Sequence, residues 1–315
     1  KSLKNGVDNQ KIVFSGVGKT NKEIEIAIKK NIKQINVESI EELDEIAIIC
    51  KRLNRTTNIC LRVNPDVDAK THEKISTGRS EDKFGISDKK VNEIFKKYKK
   101  NKFIKIMGLS LHIGSQVELL EPFNKAFRKI KLQILELKKE GFNISSLDLG
   151  GGVGIRYNDK NKILDIRSYA QLIDELFSDL DIEIIIEPGR YLVGSSGIIL
   201  SSVIRTKSGK NKDFAIIDAG MDNLIRPALY GAEHKIIPVK KKGEKNLKSY
   251  DIVGPICETS DVFIKKMKIH RLNSDDLVVI CSTGAYSSCM ASNYNLREPA
   301  KEVFIKKKKF IISNS

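Results

Sequence analysis

From Lys11 to Arg190 the chain alternates short apolar segments with amphipathic helical patterns. Parallel strands need a long crossover between them, usually a helix, so this alternation predicts a parallel sheet covered by helices. Thr20 with Glu23 and Ser39 with Glu42 have the spacing of capping boxes, which begin helices. The predicted strands are Lys11–Ser15, Gln34–Glu38, Asn58–Asn64, Ile106–His112, Ser146–Leu149 and Ile182–Glu187.

The pattern changes after about residue 195. Helical periodicity ends there, and short β-type segments follow one another to the end of the chain. We therefore predict a first domain of residues 1–195 and a second, mostly antiparallel β domain of residues 196–315. The predicted strands of the second domain are Gly197–Thr206, Phe214–Asp218, Tyr250–Val253, Asp261–Lys266, Leu277–Cys281 and Val303–Ile311.

Polar residues and glycines collect where the predicted parallel strands end. His112, the Gly150–Gly152 triplet and the Glu187–Arg190 segment all follow strand ends. A (β/α)8 barrel builds its active site at this edge and often binds phosphate after strands 7 and 8. This predicts an α/β fold of the TIM-barrel type that lacks its first two strands. A doubly wound sheet would need a G-x-G-x-x-G loop after its first strand, and Gly16 and Gly18 do not have that spacing.

Two of these strand ends together predict a phosphate site. One strand runs into three consecutive glycines, whose backbone N–H groups no side chain covers. The other runs into Glu187, Gly189 and Arg190, and a guanidinium is a fixed fork of donors for oxygen anions. Glu187 can meet a positive group on the same ligand. A phosphate at one end and a cationic ring at the other describe pyridoxal phosphate, whose ring nitrogen needs such a partner.

Composition restricts the other classes. The apolar runs are far too short to span a bilayer, and the first residues have no signal-peptide pattern. Five cysteines without a C-x-x-C pair and four scattered histidines argue against disulfides and a bound metal, and favour a cytoplasmic protein. The net charge of +16 suggests nucleic-acid binding, but neither an RNP-like aromatic pattern nor a paired Cys/His finger accompanies it. A lysine-rich solvated surface accounts for the charge, so we expect neither nucleic acid nor membrane as a partner.

Six motifs in one order resemble the fold type III pyridoxal-phosphate decarboxylases. Each is short, and their shared order extends the resemblance over essentially the whole chain. The resemblance implies a (β/α)8 barrel followed by a β domain, pyridoxal phosphate as cofactor, and a homodimer with shared active sites. The motifs are His112–Gln116, Gly150–Gly152, Glu187–Arg190, Gly220–Tyr230, Gly254–Asp261 and Gly284–Tyr286.

The resemblance also implies which residues bind the cofactor. His112 resembles the imidazole that stacks on the pyridine face. Glu187 resembles the carboxylate partner of the pyridine nitrogen, which favours the protonated ring. The other cofactor residues that the resemblance implies are Ser115, Gly150, Gly151, Gly152, Gly189, Arg190 and Tyr286.

The implied substrate residues describe a molecule with charges at both ends. Arg190, Arg226 and Tyr230 resemble a clamp for a substrate carboxylate, and a guanidinium suits that task better than an ammonium. Tyr286 is implied to contact both the phosphate and the substrate. Glu258 resembles a residue that binds the distal ammonium. Together they imply decarboxylation of meso-2,6-diaminopimelate to L-lysine and CO2, the last step of lysine biosynthesis.

Cys257 and Glu258 resemble a pair that reaches across a dimer interface into the site of the partner subunit. There Cys257 would act near the reacting carbon, so Cys257 and His112 are the implied catalytic residues. Ornithine-type relatives carry Cys-Asp at this place and accept substrates without a distal carboxylate. The Cys-Glu pair therefore favours the diaminopimelate branch of the family.

One residue of the family has no match in the chain. The lysine that forms a Schiff base with the cofactor lies in a Tyr-Ala-x-Lys-Ala-like segment of the first barrel strand, whereas Lys19 and Lys83 belong to other motifs. We therefore expect that lysine upstream of Lys1, a shortened C-terminus, and no activity of this chain by itself. Two alternatives stay open: a non-catalytic homologue that regulates an active decarboxylase, and an ornithine- or lysine-type decarboxylase.

Overall fold

The computed structural model describes residues 1–75, 77–79, 81–240, 247–307 and 309–313. It consists of two compact units, Lys1–Gly154 with Ile163–Pro188, and Ile155–Lys162 with Gly189–Ser315. The change between the units falls at Pro188 and Gly189, a few residues before the predicted boundary at 195, which stays a prediction. The short segment Ile155–Lys162 belongs with the second unit, which no pattern in the sequence indicates.

The first unit is a parallel sheet with helices between its strands. The strands are β1 (Val13–Phe14), β2 (Gln34–Val37), β3 (Thr57–Asn64), β4 (Ile86–Ser87), β5 (Ile104–Ser110), β6 (Ser146–Asp148) and β7 (Glu183–Ile185). The helices are α1 (Asn21–Lys29), α2 (Ile40–Leu53), α3 (Asp88–Tyr98), α4 (Leu120–Lys139) and α5 (Ile166–Phe177).

The order of the strands identifies the architecture of this unit. They pair as β1-β2-β3-β5-β6-β7, all parallel, with the two-residue β4 on β3. An order that follows the chain without reversal belongs to a (β/α)8 barrel, because a doubly wound sheet reverses at its switch point. The predicted fold class is confirmed, and the six predicted strands correspond to β1, β2, β3, β5, β6 and β7.

Side-chain caps begin several of these helices. Thr20 Oγ1 accepts a hydrogen bond from Glu23 N (3.3 Å), and the Glu23 carboxylate accepts one from Thr20 N (2.9 Å), so the predicted capping box is confirmed. Asp165 begins α5 in a similar way and accepts from the backbone N–H groups of Arg167 and Ser168 (3.2 Å each). These bonds satisfy donors that a helix start would otherwise leave without a partner.

At the start of α2 the predicted capping box forms only in part. Glu42 N donates to Ser39 Oγ (3.1 Å), as predicted. The Glu42 carboxylate, however, accepts from Glu38 N (2.9 Å) and pairs with Lys19 Nζ (2.6 Å) instead of accepting from Ser39 N. The buried Lys19 ammonium needs a carboxylate partner, and this ion pair holds Glu42 away from the backbone of Ser39.

The second unit is a mostly antiparallel β structure with two one-turn helices. Its strands are β8 (Ile199–Ser208), β9 (Asp213–Ile217), β10 (Ile236–Pro238), β11 (Leu247–Val253), β12 (Val262–His270), β13 (Leu277–Ile280), β14 (Val303–Lys306) and β15 (Lys309–Ile312). Its helices are α6 (Gly189–Val193) and α7 (Arg226–Tyr230). Six strands form one sheet in the order β10-β13-β8-β9-β11-β12, in which β9 and β11 are parallel and the other neighbours antiparallel.

The last predicted strand is in fact a hairpin. The sequence suggests one strand over Val303–Ile311, whereas β14 and β15 pair antiparallel with each other. Lys307 has a φ of +57°, a left-handed conformation that turns the chain back, and Lys308 lies outside the described residues. The alternation of apolar residues does not show where such a turn falls.

No helix in the described part of the chain is long and apolar enough to cross a membrane.

Candidate active site

A buried polar network connects residues on or just after four strands of the first unit, β1, β2, β6 and β7. Asn36 Nδ2 donates to Ser15 Oγ (2.9 Å) and to Asp148 Oδ2 (2.7 Å), and Ser15 Oγ donates to Glu187 Oε1 (2.9 Å). The Asp148 and Glu187 carboxyl groups are close enough for the charge of Glu187 to act on Asp148. Asp148 is 1% exposed. The network therefore places two carboxyl groups side by side in a buried place.

Burial, together with the charge of Glu187, raises the pKa of Asp148 to about 7. Hydrogen bonds from Gly150 N and Asn36 oppose the shift. Two adjacent carboxyl groups cannot both ionise without a cation nearby, so the pair keeps one proton near neutral pH. A cationic ligand would favour release of that proton. This is the chemistry expected of a partner for a protonated pyridine nitrogen.

The glycine triplet is required by close backbone packing. A Cβ at Gly151 would lie 2.1 Å from the carbonyl oxygen of Glu187, and a Cβ at Gly152 would lie 2.2 Å from that of Gly114. Gly150 has a φ of +65°, and its oxygen accepts from Glu187 N (2.7 Å). The triplet thus fastens the end of β6 to the segment after β7.

The expectation that the N–H groups of the triplet are uncovered is wrong for two of the three glycines. Gly150 N donates to Asp148 Oδ1 (2.9 Å), and Gly151 N donates to His112 Nδ1 (3.1 Å). Buried backbone donors find partners wherever side chains can supply them. These two groups orient the neighbouring acid and imidazole, and the role of the triplet in binding phosphate stays a prediction.

His112 is held as a neutral imidazole. Burial lowers its pKa to about 4, and the positive charge of Arg62 acts in the same direction. Because Nδ1 accepts from Gly151 N, the ring proton lies on Nε2. Thr77 Oγ1 donates to the His112 carbonyl oxygen (2.9 Å), which fixes the backbone at the base of the side chain. A neutral ring of fixed orientation suits stacking on an aromatic ligand.

In the second unit two buried guanidinium groups surround one tyrosine. The Arg226 guanidinium carbon lies 4.1 Å from the centre of the Tyr157 ring, and that of Arg190 lies 5.7 Å from it. Arg190 Nη1 donates to the Tyr157 hydroxyl, and the Arg190 guanidinium also lies over the Tyr286 ring (4.4 Å). Two cations at such a place attract anions strongly because the surroundings screen them weakly.

Arg226 lacks an acidic partner within the described residues. It is 4% exposed, and its Nε has no hydrogen-bond acceptor among them. Burial lowers its pKa, and the Arg190 charge adds to that effect. A buried guanidinium without a carboxylate is costly to the fold, so the arrangement is typical of a site that receives an anion from outside.

Arg226 instead contacts His234, a residue that the sequence patterns do not indicate. Arg226 Nη1 lies 2.6 Å from His234 Nε2, and His234 Nδ1 lies 2.8 Å from the carbonyl oxygen of Cys281. The Tyr157 ring packs edge-on against the imidazole, with ring centres 4.7 Å apart. Neither Tyr157 nor His234 belongs to a motif, so only the folded chain brings them to the guanidinium.

Cys257 and Glu258 lie on an exposed loop of the second unit. Asp261 folds the loop, because its carboxylate accepts from Ile256 N and Met221 N (2.8 Å each). Burial raises the pKa of Asp261, and these two hydrogen bonds oppose the shift. The hydroxyl of Tyr294 donates to Glu258 Oε1 (2.6 Å). The Cys-Glu pair is thus exposed on the surface of the unit.

The remaining predicted residues occupy the ends of elements. Ser115 follows β5 and donates its N–H to the carbonyl oxygen of Ile75 (3.2 Å). Gly189 begins α6, and a Cβ there would meet no atom within 4 Å. Tyr230 ends α7, one helical turn after Arg226, so the two side chains leave neighbouring positions of the same face. The roles assigned to these residues stay predictions.

Comparison with known proteins gives consistent results. The family model "Pyridoxal-dependent decarboxylase, pyridoxal binding domain" matches residues 1–194. The diaminopimelate decarboxylase of Neisseria meningitidis serogroup A is 45% identical over 300 residues, which are 95% of this chain and 73% of the relative. The diaminopimelate decarboxylase of Aquifex aeolicus is 40% identical over 302 residues, 96% of this chain and 72% of the relative.

Solved structures agree with these relatives. The diaminopimelate decarboxylase of Helicobacter pylori complexed with L-lysine superposes with a TM-score of 0.94 at 40% identity, over 99% of this chain and 77% of that one. The enzyme of M. jannaschii in complex with L-lysine superposes with a TM-score of 0.92 at 36% identity, over 99% and 73%. A lysine/ornithine decarboxylase of Vibrio vulnificus, 22% identical with a TM-score of 0.81, shares the fold.

Proposed function

The chain belongs to the diaminopimelate decarboxylases of the pyridoxal-dependent decarboxylase family, and we propose that its protein converts meso-2,6-diaminopimelate to L-lysine and CO2. The observation that supports this substrate most directly is the buried Arg226, which lacks an acidic partner among the described residues. A substrate with a single carboxylate loses that group as CO2 and offers no other anion to pair with the Arg226 guanidinium. A substrate that keeps a second carboxylate far from the reacting carbon supplies the missing anion.

The residues of the first unit fit pyridoxal phosphate. When bound, this cofactor supplies an electron sink for the electron pair that the departing CO2 leaves behind. Glu187 would hold the ring nitrogen, since the neighbouring Asp148 shares a proton with it and both lack a positive partner among their contacts. His112 would cover one face of the ring as a neutral imidazole. The residues that the family resemblance implies for the phosphate, Gly189, Arg190 and Tyr286, belong to the second unit.

The second unit would select the substrate by its distal end. Arg226 and Tyr230, one turn apart on α7, would bind the distal carboxylate. Glu258 would bind the distal ammonium, and Cys257 would hold a proton near the reacting carbon. Product L-lysine keeps both distal groups, so these contacts would persist until the product leaves.

We further propose that the protein is a homodimer with shared active sites. Cys257 and Glu258 lie exposed on their loop, where a second subunit can approach them. The exposed carboxylate of Glu258 is well suited to serve a site outside its own unit. A cytoplasmic location is part of the same proposal, and it is supported by the absence of disulfides among the five cysteines.

The test uses the protein expressed from its complete reading frame. With pyridoxal phosphate and meso-diaminopimelate it should release CO2 and L-lysine in equal amounts, measured by manometry or labelled CO2 and by chromatography. Omission of the cofactor after dialysis should abolish both products. The Glu187→Ala variant is the matched control, since it should lose activity while it stays folded. A folded, cofactor-loaded protein that forms neither product would refute the proposal and favour a regulatory homologue.

A further inference from the structure

We propose that His234 is a positioning residue that fixes the Arg226 guanidinium for the distal carboxylate of the substrate. The inference rests on the proposed function and deepens it, because it names the residue that makes the carboxylate clamp rigid. His234 itself is not expected to touch the substrate. It is 1% exposed, and it is enclosed by the guanidinium, a tyrosine ring and a backbone carbonyl.

The two hydrogen bonds of His234 determine its tautomer. A guanidinium can only donate, so His234 Nε2 must accept from Arg226 Nη1 (2.6 Å). A carbonyl oxygen can only accept, so Nδ1 must carry the proton and donate to Cys281 O (2.8 Å). The backbone after β13 thus sets which ring nitrogen is free to accept. Because the Cys281 carbonyl oxygen can only accept, it fixes the His234 tautomer, and the tautomer in turn orients the Arg226 guanidinium.

The contact restricts how Arg226 can turn. Its planar group is held at Nη1 by the imidazole and over one face by the Tyr157 ring (4.1 Å). The Nε side of the plane has no acceptor among the described residues. Nε and the neighbouring nitrogen form a two-donor fork for a carboxylate. The contacts with His234 and Tyr157 together leave the Nε side of the plane for the ligand.

His234 can do this only as a neutral ring. Burial lowers its pKa to about 4, the nearby charges of Arg226 and Arg190 act in the same direction, and the hydrogen bond to Cys281 opposes them. The remaining ring neighbour is Tyr157, and the adjacent Lys235 side chain pairs with Asp159 (3.1 Å). Protonation would add a third positive charge beside two guanidinium groups and remove the acceptor. The imidazole therefore stays an acceptor over the whole neutral range.

Two substitutions separate the two hydrogen bonds. His234→Gln keeps an acceptor near the position of Nε2, whereas His234→Asn keeps a donor near the position of Nδ1 and loses the contact with Arg226. The complete, cofactor-loaded protein is used throughout. KM and kcat are measured with meso-diaminopimelate, and calorimetry gives the affinities for L-lysine and for cadaverine, which lacks the carboxylate. The control is His270→Gln, which changes another buried histidine of the same unit.

His234→Asn should raise KM and the dissociation constant of L-lysine about tenfold or more, with kcat nearly unchanged, because a charged hydrogen bond is lost. His234→Gln should stay close to the unsubstituted protein, and His270→Gln should match it. Cadaverine affinity should not respond to either change at residue 234. Equal weakening of L-lysine by Asn and Gln, or equal weakening of L-lysine and cadaverine, would overturn the inference.

A spectroscopic measurement tests the tautomer without any catalysis. In protein labelled with ¹⁵N-histidine, the His234 signals at pH 7 should be those of a neutral ring protonated on Nδ1, and they should titrate only near pH 4. A ring protonated on Nε2 would overturn the inference even if His234→Asn fails to fold. If the unsubstituted protein binds no L-lysine, the proposed function and the inference both fail. If it binds L-lysine and His234→Asn binds it equally tightly, the inference alone fails.

Discussion

Asp148 and Arg226 are buried ionisable residues of opposite sign, one in each compact unit. Asp148 lies beside a second carboxyl group and keeps a proton. Arg226 lies near a second guanidinium and is supported by neutral groups. Neither residue has an oppositely charged partner among its described contacts. A ligand of the opposite charge that binds beside either residue is therefore expected to stabilise the folded protein.

The elevated pKa of Asp148 predicts how stability depends on pH. Its folded pKa of about 7 lies above the ordinary value of 3.8, so the contribution of Asp148 to stability is lost as pH rises from about 4 to 7. In cofactor-free protein, Asp148→Asn should therefore gain stability relative to the unsubstituted protein over this range, by at most about 4 kcal/mol. Urea unfolding of both proteins at pH 4.5, 6 and 7.5 measures this difference.

The contributions of His112 and His234 to stability depend on pH in the opposite direction to that of Asp148. Their folded pKa values of about 4 lie below 6.5, so their contribution is lost as pH falls from 6.5 towards 4. Both histidines are present in both proteins, so their effect cancels in the difference. A stability difference that is the same at all three pH values would show that Asp148 is ionised throughout and that the carboxyl pair shares no proton.

At the scale of elements, strand ends and loops place the reactive groups. The end of β6 continues into the glycine triplet, which fastens the acid pair and orients the His112 ring. In the second unit the Gly254–Asp261 loop presents Cys257 and Glu258, and α7 carries Arg226. The proposed residues of the first unit lie at or after strand ends, whereas Arg190, Arg226 and Tyr230 lie within the one-turn helices α6 and α7.

Close packing at the triplet predicts a sharp effect of one methyl group. Gly151→Ala places a Cβ 2.1 Å from the Glu187 carbonyl oxygen, so the backbone that carries Glu187 must move. We expect a loss of about 1–3 kcal/mol in stability and weaker binding of pyridoxal phosphate. Thermal unfolding and a cofactor titration measure both. Gly18→Ala is the control, because a Cβ there meets nothing within 4 Å; equal results for the two variants would contradict the packing argument.

The sequence predicts the elements better than their contacts. The strand order of the first unit and the cap at Thr20 follow from local spacing, since periodicity and capping act over a few residues. At Ser39 only one of the two predicted capping hydrogen bonds forms, because the Glu42 carboxylate pairs with Lys19, which precedes a different helix. Asp148 and Tyr157 acquire their roles from residues 33 or more positions away. His234 contacts Arg226 and the distant Cys281 from a segment without a motif. Such contacts leave no periodic signal.

For the whole molecule, the proposed function assigns different roles to the residues of the two units. The first has the neutral imidazole and the acid pair that fit the cofactor ring, and the second has the guanidinium groups and the Cys-Glu loop that fit phosphate and substrate. The proposed dimer would supply Cys257 from one subunit to the other. Mixing subunits of two variants tests whether Cys257 acts in the site of the partner subunit.

Mixed dimers should recover activity from two inactive variants. Glu187→Ala and Cys257→Ala, each in the complete protein, should be nearly inactive alone. Random exchange makes half of the dimers mixed, and one of the two sites in each would then have both residues intact. Roughly a quarter of the normal site activity should return. If mass spectrometry confirms the exchange and no activity returns, Cys257 serves its own chain.

Selection of the substrate by its distal carboxylate can be measured as a ratio of specificity constants, kcat/KM, for two molecules that differ only in that group. D-lysine keeps the reacting D-centre of meso-diaminopimelate and lacks only the distal carboxylate. For the complete, cofactor-loaded protein, kcat/KM should favour meso-diaminopimelate by about 10³-fold or more, because D-lysine leaves Arg226 buried and unpaired. Similar kcat/KM values for the two molecules would contradict the account.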